Sequence, residues 1–127
     1  MKAEEVLNIW GAPDNSRLTA KQLSVRMPVH VAARVNALCD MHPNKTKTEI
    51  IGDLLSMALR EIESAFPEHK GQQEGITPDG EPYYEDIGPH RLYERYANKH
   101  YATLEKELGN DNPRDLVTRR VVIGDSE

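Results

Sequence analysis

The chain contains a single cysteine, Cys39, which rules out an intrachain disulfide framework and fits a reducing compartment. It has no run of 18 apolar residues, so no transmembrane helix is expected. Its start, Met1-Lys2-Ala3-Glu4-Glu5-Val6, carries two acids where a secretory signal carries bases followed by a long apolar stretch. A cytoplasmic location is the resulting expectation. No nucleophile motif, phosphate loop or paired-carboxylate signature is visible, so no enzyme is expected. The five histidines, His30, His42, His69, His90 and His100, lack close ligand spacing, so no metal or other cofactor is expected. There is no internal repeat.

A surplus of positive charge is also missing overall. The net charge of −5 argues against nucleic acid as a partner, but it conceals an asymmetry. From Arg17 to Lys47 there are six bases (Arg17, Lys21, Arg26, Arg34, Lys45, Lys47) against one acid, Asp40, a local charge of +5. Residues 67–127 hold thirteen acids and eight bases. A polyanion responds to the field beside the binding face more than to the total charge.

Within 127 residues there is room for one ordinary domain, or a very small one with appendages. Residues 1–19 read as a flexible arm: Val6-Leu7-Asn8-Ile9-Trp10, then the breakers Gly11 to Ser16. Gln22-Leu23-Ser24-Val25-Arg26-Met27 alternates polar and apolar residues. Period two places Leu23, Val25 and Met27 on one face of a strand and Gln22, Ser24 and Arg26 on the other. Pro28 ends that strand and suits the first position of a helix.

The first helix is predicted from Pro28 to Met41, with Val31, Val35, Leu38 and Cys39 in one apolar stripe. Pro43 stops it, and Asn44 suits a turn. Thr46-Lys47-Thr48-Glu49 is a capping box that opens a second helix reaching about Ser64. Ile50, Ile51, Leu54, Leu55, Ala58, Leu59 and Ile62 give that helix a face wider than one short neighbour can bury. Residues 67–88 read as a linker around the Pro78-Asp79-Gly80 turn. A helical period returns from Pro89 to Leu108, with Leu92, Tyr93, Tyr96, Ala97, Tyr101, Leu104 and Leu108 on one side. Val121-Val122-Ile123 suits a short strand, and the last four residues are expected to be disordered.

One strand and two helices in roughly 45 residues are close to the size at which a chain can no longer bury enough apolar surface alone. The lone strand would also leave both ladder edges open. Antiparallel pairing of residues 21–27 between two copies removes both problems. It presents two sets of Gln22, Ser24 and Arg26, and a two-stranded ribbon fits the B-DNA major groove. Glutamine pairs with adenine and arginine grips guanine there.

Over residues 20–64 the sequence resembles the ribbon-helix-helix family of the Arc, MetJ and CopG repressors. The resemblance lies in Gln22-Leu23-Ser24-Val25-Arg26-Met27-Pro28 and in Thr48-Glu49-Ile50 early in the second helix. One departure is Pro43-Asn44, where the family commonly has a glycine. The resemblance implies that Gln22, Ser24 and Arg26 contact bases, and that the backbone at Thr46, Lys47 and Thr48 clamps a phosphate. Lys21, Lys45 and Lys47 join the expected phosphate contacts; beside Lys45 and Lys47, free helix amides and the dipole favour an anion at the same place.

The fold expected is therefore mainly α: an intertwined ribbon-helix-helix (β-α-α) dimer, with an N-terminal arm and a C-terminal extension containing one further helix. The divisions expected are 1–19, 20–66, 67–88 and 89–127. The function expected is double-stranded DNA binding by a homodimeric transcriptional repressor, which can assemble further on DNA or bind a protein through residues 89–108. One alternative is an antitoxin whose acidic, partly disordered tail folds onto a toxin. Another is a protein scaffold built on the same dimer. Cys39 reads as a core residue, and the tyrosines of the late helix read as packing surface.

Overall fold

The computed structural model describes residues 17–124. Two compact units divide between Ser64 and Ala65. The Val6–Trp10 stretch, the rest of the expected arm up to residue 16, and three of the four tail residues expected to be disordered lie outside the described residues.

Unit 1 contains α1 (Val29–Met41) and α2 (Lys47–Ala65). Pro28 is the N-cap of α1 and not its first helical residue. Its ψ of 147° is non-helical, while its carbonyl accepts from Val31 N at 3.1 Å and Ala32 N at 3.0 Å. The α1 end is closed by His42, whose N–H donates to the Leu38 and Cys39 carbonyls. No non-glycine residue among those described has positive φ, so Pro43-Asn44 makes the inter-helix turn without the left-handed geometry that favours glycine. The capping box forms in both directions. Glu49 N donates to Thr46 Oγ1 at 3.1 Å, and Thr46 N donates to Glu49 Oε1 at 3.0 Å.

The unit 1 core is small. Ile50 is fully buried, with Leu38, Cys39, Leu54 and Met57 packed against it. Burying a side chain of that size contributes roughly 1.5–3 kcal/mol. Val35 is also buried, but Leu55, Leu59 and Ile62 on α2 remain about half exposed. The broad apolar face of α2 is thus covered along one side only.

Unit 2 overturns the expected fold class. The chain is a mixed α/β protein, not a mainly α one with a single appended helix: beyond α1 and α2 it builds a three-stranded antiparallel sheet and a third helix. The supposed linker 67–88 supplies β1 (Lys70–Ile76) and β2 (Pro82–Asp86); α3 (Pro89–Glu107) and β3 (Val121–Ile123) follow. The sheet order is β1-β2-β3, with Gln73 opposite Tyr84 and Tyr84 opposite Val122. By contrast, residues 22–28 carry no regular secondary structure in the chain by itself, so the β element of the expected β-α-α order is absent there.

The glycines that suggested a linker are packing positions. A Cβ on Gly71 would lie 2.5 Å from Glu85 Cγ, and one on Gly75 would lie 2.6 Å from the Tyr83 hydroxyl. Side chains of β2 lie across β1 at both places. The expected stripe on α3 is also divided: Tyr93, Ala97 and Tyr101 are half-buried, whereas Leu92, Tyr96, Leu104 and Leu108 are exposed. The buried residues of α3 are His90 and Glu105. Glu105 accepts from Asn110 Nδ2 at 3.0 Å, and His90 lies against the rings of Phe66 and Tyr93.

Asp86 ties unit 2 together. Its Oδ1 accepts from His69 N at 3.1 Å and Gly88 N at 2.9 Å, and Oδ2 accepts from Arg120 Nε at 2.8 Å. Arg120 also donates to the Phe66 carbonyl at 2.9 Å. Burial opposes charge on Asp86, but the Gly88 and His69 amides and Arg120 outweigh it and hold the carboxyl below its ordinary 3.8. Asn98 exchanges two hydrogen bonds with the Val117 backbone, which fastens the segment after α3 back onto that helix.

Candidate nucleic-acid interface

The polar and apolar positions of 22–27 differ in what each needs. Leu23 is 73% exposed and Val25 76% exposed; such side chains are normally covered. Met27 is half-buried, while Gln22, Ser24 and Arg26 are exposed. The side chains of those three polar residues make no hydrogen bond or ion pair among the described residues. A glutamine, a serine and an arginine held at alternate positions offer amide, hydroxyl and forked guanidinium groups to a hydrogen-bonding surface.

At the start of α2 the expected phosphate contacts differ from one another. A helix leaves its first amides without intrahelical acceptors. The capping box occupies that of Glu49, so those of Lys47 and Thr48 remain for an external acceptor. Lys47 and Thr48 are exposed. Thr46 is exposed too, but its hydroxyl already serves the cap. Lys45 is placed otherwise: its side chain is 5% exposed and its Nζ lies 3.6 Å from Glu49 Oε2. It acts as an internal partner of the capping carboxylate more than as a cation offered to solvent. Lys21 is exposed, and its carbonyl accepts from Thr19 Oγ1 at 2.7 Å.

The site residues therefore fall into two stretches of unit 1, 21–26 and 45–48. Unit 2 adds a charged hollow that sequence reasoning missed. It measures about 280 Å³ and is lined by Glu74, Asp86, His90, Glu94, Arg119 and Arg120, among others. Its charges are largely paired internally, Arg119 with Glu74 and Arg120 with Asp86. The one available signal for this region was the Pro78-Asp79-Gly80 turn between two short runs, a hairpin pattern. Among the described residues no group of three histidine, cysteine or acidic side chains is arranged to hold a metal ion. No helix among them is long and apolar enough to cross a membrane.

Comparison with protein-family models, with curated proteins and with solved structures finds no match to this chain.

Proposed function

We propose that this chain binds double-stranded DNA sequence-specifically as a homodimeric transcriptional repressor. In this reading residues 22–27 of two copies pair antiparallel and enter the major groove. The observation that carries it is the state of that segment: Leu23 and Val25 lie open beside Gln22, Ser24 and Arg26, whose side chains make no hydrogen bond or ion pair among the described residues. Pairing with a second copy satisfies the backbone, and the half-covered face of α2 supplies apolar surface to lie over Leu23 and Val25. The opposite face then carries two copies of each base-reading side chain. The local charge of +5 between Arg17 and Lys47 and the exposed α2 amides suit the phosphates that flank a groove. The likeness of residues 20–64 to the ribbon-helix-helix family points the same way.

A two-fold dimer reads a near-palindrome or a tandem array of short ones. The antitoxin alternative has an acidic, partly disordered tail that folds onto a toxin; against it, the segment 65–124 already forms a sheet and a helix without a partner. The scaffold alternative predicts no DNA affinity that depends on salt.

The test is titration of mixed-sequence duplex DNA at several salt concentrations, with sedimentation to give mass. Expected are a dimeric mass and an affinity that falls steeply with salt. A monomeric mass at micromolar concentration, or an affinity indifferent to salt, refutes the proposal.

A further inference from the structure

Unit 2 carries two apolar patches edged by opposite charge, and they lie on different elements. The first is the turn end of the β1–β2 hairpin. Ile76 is 65% exposed there, with the exposed acids Asp79 and Glu81 beside it. This tip is rigid: Thr77 N donates to the Glu81 carbonyl, Gly80 N to the Thr77 carbonyl and Glu81 N to Thr77 Oγ1. The second is the outer face of α3. Leu92 is 47% exposed and Tyr96 52% exposed, one turn apart. Alongside runs a row of exposed cations, Arg91, Arg95 and Lys99, spaced four residues apart over about 12 Å. An open groove of about 460 Å³ lies at the N-terminal end of this face, lined by Ile87, Leu92, Arg91, Arg95 and Glu94.

We propose that unit 2 binds a second copy of this chain head to tail, with the acidic hairpin tip of one copy seated on the basic, apolar face of α3 in the next. The two patches are opposite in charge and alike in carrying exposed apolar side chains. Asp79, Glu81, Arg95 and Lys99 have no ion pair among the described residues, so their charges are available. Arg91 is engaged at 3.9 Å with Glu85, and Arg95 lies over the Tyr96 ring at 5.9 Å. Glu94 is the one acid lining the groove, beside two arginines, Arg91 and Arg95. The rigid tip loses little conformational freedom on docking. Because the two patches differ, each copy keeps one free after the contact forms, so the association propagates beyond a pair. Its consequence for a DNA-binding dimer would be alignment of copies on neighbouring sites, but the contact itself does not rest on that reading.

Self-association is followed on the full chain without DNA, and duplex binding of the same proteins is measured separately. Sedimentation velocity follows mass against concentration for the wild type, for Arg95→Glu/Lys99→Glu, and for Asp79→Lys/Glu81→Lys. All four positions are exposed, so the folds are retained, which circular dichroism checks. The wild type is expected to grow beyond its smallest species as concentration rises. Each charge-reversed variant should need about tenfold more protein or higher to do so, since attraction becomes repulsion at two positions. An equimolar mixture of the two variants should recover the wild-type behaviour, because each then meets its complement. The proposal is overturned by a wild-type mass that stays constant up to about 1 mM, or by a mixture that fails to recover. It is equally overturned if Arg95→Glu/Lys99→Glu weakens duplex binding while self-association is unchanged, which would assign the α3 face to nucleic acid.

Discussion

Units 1 and 2 are similar in length but differ in how completely each satisfies itself. Unit 2 pairs its strands, holds the buried Asp86 carboxylate with two amides and a guanidinium, and ties its late segment to α3 through Asn98. Unit 1 has one fully buried side chain, a helix face covered along one side, and a six-residue alternating segment in no strand pairing among the described residues. Asp86, Asn98 and Arg120 of unit 2 bond to other groups of that unit, while the side chains of Gln22, Ser24 and Arg26 are exposed and make no hydrogen bond or ion pair among the described residues. In the proposed reading a second copy and DNA complete that segment. In the proposed reading, DNA recognition belongs to unit 1 and assembly to unit 2.

The sharpest way to break the comparison is to damage each unit separately. Asp86→Ala leaves Arg120 and two amides without their acceptor and should cost about 3–5 kcal/mol. Chemical denaturation should show unit 2 losing stability while the α1–α2 transition stays in place. Ile50→Ala should cost unit 1 about 2–5 kcal/mol. The unfolding midpoint of unit 1 should rise with protein concentration, as it does for any fold completed by a second copy, and that of unit 2 should respond far less. A concentration-independent unit 1 would dissolve the contrast.

A pH titration sharpens it further. Asp86 has a lower pKa folded than unfolded, so its contribution is fully present above the unfolded value of about 3.8 and is lost as pH falls below that. Acid should therefore weaken unit 2 through this group, and Asp86→Asn should flatten the acid limb of its stability curve. The smallest expected effect is that of Thr46→Ala. It removes the acceptor for the Glu49 amide and should cost about 1 kcal/mol, measurable as a lower thermal midpoint for unit 1.

The two units were also unequally legible in the sequence. In unit 1, local signals govern the structure: the Val35–Leu38–Cys39 stripe, the stop at Pro43 and the Thr46–Glu49 capping box all act over a few residues. In unit 2 the decisive interactions span long distances. Nothing local announces that Arg120 grips Asp86, 34 residues earlier. Gly71 and Gly75 read as linker residues because what excludes a Cβ there is Glu85 and Tyr83 on another strand. The α3 helix was visible from its period, but its buried face was not, since the residues it hides most completely are His90 and Glu105 rather than its leucines. Of the candidate site, the sequence alone could identify side-chain types and spacing. It could not reveal that Lys45 is drawn into an ion pair with the capping Glu49.

The most direct test of the account is selection of duplexes from a random library by the wild type and by the Arg26→Ala and Lys47→Ala variants. The wild type should enrich a near-palindromic sequence. Arg26→Ala should bind that sequence about 1–3 kcal/mol more weakly and lose preference at one base position in each half-site. Lys47→Ala should weaken all duplexes about equally and lower the salt dependence, with the preferred sequence unchanged. Failure of the wild type to enrich any sequence, or an Arg26→Ala selection identical to that of the wild type, would contradict the claim that residues 22–27 read DNA.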